Sequence, residues 1–250
     1  MYLILISYLT SSTSSSSSSI RDSLELLAKN WSIEPQIYDL QLGNRKDVYD
    51  TTLTVDKVTY HIPTLAIDKL FVLWRCLWPD CHNCCDRQGR LPLTIDDVHV
   101  ITRKMGYRLE SDFLKNETKI SSWDEKDEKG RPSTLFTMLS LKRKEDENDR
   151  EDGTPIRCRF LSKEGNCGLQ PEKPGVCWLY PFASWINIEN NVPVVHATFQ
   201  FTGDCPGFYL SDSLDQMTPV LNEYAKTIYN YNMAIRRTIR NNYGLINFVT

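Results

Sequence analysis

Apolar and polar residues alternate along this chain with two periods, and each period predicts a different element. In DTTLTVDKVTYHI (50–62), Leu53 and Val55, then Val58, Tyr60 and Ile62, alternate with other positions on either side of Asp56–Lys57. A period of two sends successive side chains to opposite faces of a strand, so this stretch predicts a short β-hairpin. SWINI (184–188), the turn ENN and VPVVHATFQF (192–201) predict a second hairpin, ended by GDCPG (203–207). STLFTMLSLK (133–142) reads as one strand, and TLAIDKLFVLWRC (64–76) as a helical or extended segment.

The helical period appears three times. Ile95, Val98, Ile101 and Met105 form a buried stripe in LPLTIDDVHVITRKMGY. Thr94 is a good N-cap, Asp96 and Asp97 fall in the first turn where carboxylates meet the positive end of the helix dipole, and Gly106 follows the last apolar position. These signals predict a helix over 95–105. Val220, Tyr224, Ile228, Tyr231, Ile235 and Ile239 advance by three or four, which predicts an amphipathic helix over 219–241 with one face on the core. Ile20, Leu24 and Leu27 suggest a helix and loop within 20–45. WDEKDEKGR and KRKEDENDRED, within 121–152, are charge runs expected to form solvated loops. No internal repeat is evident.

The expected fold class is α+β: short β-hairpins and helices around a cysteine-rich metal centre, with a C-terminal amphipathic helix. The expected organisation is a disordered low-complexity tail at 1–19 and one domain at 20–250, with the metal-binding core at 70–210.

Composition adds limits. The chain has 250 residues, 41% hydrophobic and 24% charged, enough for a core built by apolar burial. A net charge of −3 argues against a general nucleic-acid footprint, which needs a basic domain or stripe. The apolar run Tyr2–Leu9 is far shorter than the roughly 20 residues of a membrane helix, and no basic segment precedes it as in a secretory signal. The serine tract Ser14–Ser19 reads as a tail. A cytoplasmic protein with no membrane span is therefore expected.

The cysteines change the picture most. All 8 fall in two blocks: Cys76, Cys81, Cys84 and Cys85, then Cys158, Cys167 and Cys177, with Cys205 after the second hairpin. Three explanations compete. Disulfides would suit a small secreted scaffold, which this chain does not resemble. Thiol catalysis needs a base beside the sulfur, and His82 lies inside the first block. Metal binding fits best, because Cys81-x2-Cys84 lets two thiolates reach one ion at about 2.3 Å. Cys84 and Cys85 cannot easily face one ion together with Cys81, so one of them serves a second metal, a second iron of the same cluster, or chemistry. Eight thiolates suffice for two four-cysteine sites or one cluster with spares. Soft thiolates suit zinc and iron–sulfur clusters alike.

Neighbouring residues have plainer readings. Arg75, Arg87, Arg90, Arg157 and Arg159 could offset thiolate charge. Trp74, Trp78, Phe160, Trp178, Tyr180, Phe182 and Trp185 would wall the site from solvent. His61, His99 and His196 read as isolated core or surface histidines, and Asp96 and Asp97 as helix-start carboxylates.

CHNCC (81–85), LPLTIDDV (91–98), CRFLSKEGNC (158–167), PGVCWLYPF (174–182) and the late GDCPG together resemble the YkgJ-type cysteine-cluster family, known for its CxxCxxCC motif and for zinc or iron chelation. The resemblance covers about 70–210. It implies metal or iron–sulfur binding by Cys81, Cys84, Cys85, Cys158, Cys167, Cys177 and Cys205; Cys76, which departs from the family's usual spacing, is expected as a further metal ligand from its place in the first block. A related branch contains flagellin lysine N-methylases, which implies a protein substrate or partner. Two functions follow as expectations. One is a redox-active iron–sulfur protein, with a 4Fe-4S cluster, serving an oxidoreductase or protein-modifying reaction. The other is a structural zinc module that binds a protein partner without catalysis.

Overall fold

The computed structural model describes residues 22, 26, 28–86, 91–126, 132–142, 157–201 and 205–246. The chain is mixed α+β, as expected, and divides into two compact units: 1–81 with 181–226, and 82–180 with 227–250. The positions Ile20, Leu24 and Leu27, the serine-rich tail and most of KRKEDENDRED lie outside the described residues.

The first unit is built on a six-stranded sheet. Strands β1 (Val48–Val55) and β2 (Val58–Leu65) form the first hairpin in full register, from Val55 opposite Val58 to Val48 opposite Leu65. Strands β6 (Phe182–Glu189) and β7 (Val192–Phe199) form the second. Its turn is Asn190–Asn191, both at positive φ, a conformation that asparagine tolerates and that matches the twist of a two-residue hairpin. The two hairpins join because β7 runs parallel to β2 over 58–61. The ambiguous segment 64–76 is extended: after a turn it becomes β3 (Leu70–Trp74), which pairs with the end of β2 and with β8 (Phe208–Ser211). A short helix, α1 (Pro35–Gln41), precedes the sheet, and Glu34 at its start accepts the Leu210 N–H at 3.2 Å.

One face of this sheet is the core. Val58, Tyr60 and Ile62 are fully buried, whereas Thr59 and His61 between them face the other way and are only half-buried. Phe182 packs its ring 5.5 Å from Tyr60, 5.2 Å from Phe199 and 5.1 Å from Tyr224. The buried Tyr60 hydroxyl donates to the Leu221 carbonyl at 2.9 Å, so this deep polar atom is satisfied.

The second unit has its own core, made of Leu91, Leu93, Val98, Ile101, Phe113, Leu114, Leu139, Leu141 and Leu169. Its first element, α2 (Asn83–Asp86), carries two of the cysteines. The helix α3 (Ile95–Lys104) starts at Thr94 as predicted. A capping box closes it: Thr94 Oγ1 accepts the Asp97 N–H at 3.1 Å while Asp97 Oδ2 accepts the Thr94 N–H at 2.8 Å. The buried face consists of Val98, Ile101 and Thr102, with Met105 packed at its edge. A second helix, α4 (Glu110–Glu117), leads into the hairpin β4 (Thr118–Lys126) and β5 (Pro132–Leu141). The strand at 133–142 is thus present. The charge run beginning at Trp123 is corrected, because 123–126 are strand rather than loop. Pairing with the apolar β5 supplies their backbone partners, which overrides the composition.

The last helix, α6 (Thr218–Ile246), is longer than the predicted 219–241. Of the predicted stripe, Ile228 is fully buried while Val220, Tyr224, Tyr231 and Ile235 are half-buried and the Ile239 side chain lies outside those described; Leu221, Ala225, Asn232, Ala234 and Thr238, outside the predicted stripe, are also buried. Small and polar residues share the buried face with the fully buried Leu221 and Ile228. Asn232 and Thr238 satisfy themselves by donating to the carbonyls four residues back, each at 2.9 Å. Among the described residues, no helix is long and apolar enough to cross a membrane.

Two glycines separate space from conformation. A Cβ at Gly207 would lie 2.2 Å from the Arg75 carbonyl oxygen and 2.9 Å from Trp74 Nε1. Gly207→Ala is expected to destabilise by more than about 2 kcal/mol in denaturant unfolding, since the backbones at 75 and 207 must part. Gly106 has φ +78 but open space around it, so Gly106→Ala should cost only about 1–2 kcal/mol of conformational strain.

Candidate metal centre

Cys84, Cys85, Cys158, Cys167 and Cys177 belong to the second unit, and Cys76, Cys81 and Cys205 to the first. No disulfide joins any of them.

In the second unit, backbone hydrogen bonds bring cysteines together that the sequence keeps far apart. Cys84 and Cys85 sit on α2, where Cys84 is exposed and Cys85 half-buried. The Cys158 N–H donates to the Cys85 carbonyl at 2.7 Å, which joins the two cysteine blocks directly. From Cys158 the chain turns back on itself. Ser162 N–H donates to the Asn166 carbonyl and Gly168 N–H to the Phe160 carbonyl, each at 2.8 Å, and Leu161 bridges Cys167. Cys158 and Cys167 therefore flank one small loop. Gly165 turns at its tip with φ +82, and a Cβ there would lie 3.2 Å from the His82 ring, so His82 packs on this loop.

Cys177 arrives on a different element. It lies in the short helix α5 (Gly175–Leu179), whose first N–H, from Gly175, donates to Asp97 Oδ1 at 2.8 Å. A Cβ at Gly175 would lie 2.8 Å from the Tyr231 ring, so only glycine permits this approach to α6. Both Cys167 and Cys177 pack against the leucine-rich core of the unit.

Burial governs the chemistry of these thiols. It pushes Cys158 up to about 11; the backbone amides of Phe160 and Leu161, which donate to its sulfur, work against this, and Cys85 and Cys167 reinforce it. Cys177 goes further, well above the ordinary thiol range. Burial is the main cause, Cys158, Cys85 and Cys167 oppose its ionisation, and Lys173 favours it. Cys85 and Cys167 thus lie within electrostatic reach of both Cys158 and Cys177 and resist the ionisation of each. Among the described residues, however, no three His, Cys, Asp or Glu side chains are grouped tightly enough to hold a metal ion. The donor chemistry fits a soft metal, and Cys158 already receives the amide hydrogen bonds that favour a thiolate. Zinc or an iron–sulfur cluster would be held by Cys85, Cys158, Cys167 and Cys177 drawn closer together.

Several neighbours do not play the expected parts. Arg159 is committed to Glu117 and lies 4.7 Å over the Phe160 ring. Burial disfavours the Glu117 charge, but Tyr107 and Arg159 outweigh it and hold the carboxyl below its ordinary range. Arg159 therefore anchors the loop. Arg157 donates to the Ser162 carbonyl at 3.1 Å, Arg75 lies 5.9 Å over Tyr209 in the first unit, and Arg87 and Arg90 lie outside the described residues. The aromatic wall is corrected as well. Trp78 and Trp178 are 65% and 43% exposed, and Trp74 and Phe182 serve the core of the first unit. Phe160 alone of the set packs on the core beside Cys167 and Cys177.

In the first unit, the Arg75 N–H donates to the Gly207 carbonyl at 3.0 Å, which brings the chain at exposed Cys76 near the chain at buried Cys205. His61 and His196, read as isolated, are in fact 3.0 Å apart between ring nitrogens. His99 is paired with Glu110 on the surface. No family model, no curated protein and no solved structure matches this chain.

Cys76 and Cys84, both exposed, are expected to alkylate quickly near pH 8, whereas Cys158 and Cys177 should lag and accelerate only as pH approaches 11 and above, checked by mass spectrometry of timed samples. Asp97→Ala removes the anchor of the Gly175 N–H, so it should speed labelling of Cys177 while leaving Cys158 slow.

Proposed function

We propose that the second unit is a metal-binding module in which Cys85, Cys158, Cys167 and Cys177 hold an iron–sulfur cluster. The observation that carries this reading is the convergence of four thiols from α2, the 158–167 loop and α5, with Cys85 and Cys167 in electrostatic reach of both Cys158 and Cys177. Cys158 and Cys177, held protonated mainly by burial, are stable as neutral SH near pH 7. A soft cation reverses the balance, because it replaces the protons and cancels the repulsion between sulfurs. The resemblance of CHNCC, CRFLSKEGNC and PGVCWLYPF to the YkgJ-type cysteine-cluster family points the same way.

When bound, a 4Fe-4S cluster supplies one-electron redox chemistry. The chain's own residues hold and shield it. Leu169 and Val176 keep water from one side, the Phe160 and Leu161 amides stabilise charge on Cys158, and Asp97 fixes the start of the helix that carries Cys177. The exposed Cys84 beside Cys85 favours iron, since it leaves a thiol at the solvent edge of the group for exchange or reaction. A redox or protein-modifying role, methylase-like in class, is the corresponding activity. The structural zinc reading is favoured by a different observation, the packing of Cys167 and Cys177 against the leucine core, as in a closed clasp.

Purification without oxygen, a visible spectrum, and iron, sulfide and zinc per chain test the proposal. A brown protein with matching iron and sulfide is expected, with the colour lost in Cys158→Ser and Cys177→Ser and kept in Cys76→Ser. A colourless protein with one zinc per chain would replace the redox reading with the structural one. Absence of every metal after anaerobic reconstitution would overturn both. Because the ligand thiols must lose protons that burial holds, reconstitution is also expected to weaken steeply as pH falls below 7.

A further inference from the structure

The open face of the first unit's sheet carries a row of ionisable side chains, one from each of four neighbouring strands. Asp50 comes from β1, His61 from β2, His196 from β7 and Glu189 from β6. Glu189 Oε1 lies 3.1 Å from His196 Nε2, and His196 Nδ1 lies 3.0 Å from His61 Nε2. The last gap is longer: His61 Nδ1 is 4.0 Å from Asp50 Oδ2.

Proton counting gives these distances meaning. A carboxylate oxygen and an imidazole lone pair are both acceptors, so each short contact must contain one proton. Two neutral imidazoles bring two ring protons. Placing one on His196 Nε2 and one on His61 Nε2 fills both short contacts and leaves a lone pair on His61 Nδ1. A lone pair facing a carboxylate makes no hydrogen bond, and that gap is the long one. The spacing therefore matches a neutral pair with both tautomers set. Trp185 covers the pair, its ring stacked 5.5 Å from each imidazole.

We propose that this row is an acid-sensitive clasp across strands β1, β2, β7 and β6. When neutral, two directed N–H bonds tie β2 to β7 and β7 to β6. On acidification His61 Nδ1 accepts the next proton, and the new charge is placed beside the buried His196.

The facing groups set the sign. Burial is the largest influence and lowers the His61 pKa below its ordinary 6.5, Asp50 from β1 opposes that, and His196 from β7 reinforces it. From β6 come Glu189, already accepting from His196, and the uncharged Trp185; Thr198 on β7 is occupied, its hydroxyl donating to the His61 carbonyl at 2.9 Å. Because the folded pKa lies below the unfolded one, the unfolded chain binds more protons between the two values. The stability contributed by the neutral row is thus complete above about 6.5 and is lost as pH falls through the folded pKa.

The test is nitrogen NMR on the full chain carrying labelled histidine, titrated from pH 8 to pH 5. At pH 8 both His61 and His196 should show protonated Nε2 and bare Nδ1, His61 should titrate with a midpoint below 6.5, and Asp50→Asn should lower that midpoint further. In parallel, the melting temperature of the unaltered chain should drop more between pH 7 and pH 5 than that of His61→Gln, whose amide keeps a donor but does not titrate. A protonated Nδ1 on His61 at pH 8, a midpoint at or above 6.5, or equal losses in the two melting series would overturn the clasp. If His61→Gln does not fold, the tautomers and the Asp50→Asn shift decide alone.

Discussion

Asp97 brings a carboxylate into the interior of the second unit, where burial pushes its pKa up and works against its charge. The unit answers with donors from two directions. The Thr94 amide and hydroxyl reach Oδ2, each at 2.8 Å, and the Gly175 amide reaches Oδ1 at 2.8 Å. A buried carboxylate without such donors would cost several kcal/mol, so the geometry of its neighbours is constrained to supply them. One side chain thereby starts α3 and orients α5, the helix that carries Cys177. The nearby Tyr231 ring leaves no room for a side chain at 175, and its own hydroxyl is held protonated by burial, by Asp97 and by Cys177.

The thiols of that unit show the same tension in another form. Cysteine packs well in apolar surroundings as a neutral group, and Cys167 and Cys177 lie against the leucine core accordingly. Ionisation is what the interior resists. The Phe160 and Leu161 amides relieve part of that resistance at Cys158. Among the described residues, positive charge near these thiols is sparse: Lys173 favours ionisation of Cys177, but Arg159 is engaged with Glu117. Under the proposed function a soft cation would supply that charge. This is the physical link between the packing and the proposed function.

The first unit solves a different polar problem. A sheet with one face in the core and one toward solvent places every second side chain outside. His61 and His196 occupy such outward positions on adjacent parallel strands, and Glu189, Asp50 and Trp185 complete their surroundings from flanking strands. Each strand alone contributes one ordinary polar residue, and together they bury His196 while leaving Glu189 exposed. The row exists only because the two hairpins pair side by side.

Much of the local structure was determined by sequence alone, for physical reasons that act over a few residues. Both hairpins, the Thr94 capping box and the strand before Leu141 follow from alternation, a hydroxyl three residues before a carboxylate, and turn residues that accept positive φ. The grouping of cysteines into two blocks was also legible. Tertiary structure decided the rest. The bond from Cys158 to Cys85, the pairing of His61 with His196 and the parallel joining of β2 to β7 each connect residues far apart in the chain, and no local period encodes them. The charged 123–126 became strand because a partner strand offered hydrogen bonds, and α6 buries Asn232 and Thr238 because their side chains can bond their own helix backbone. Local propensity selects elements one at a time, whereas burial, charge pairing and hydrogen-bond satisfaction are properties of neighbours that only the folded chain brings together.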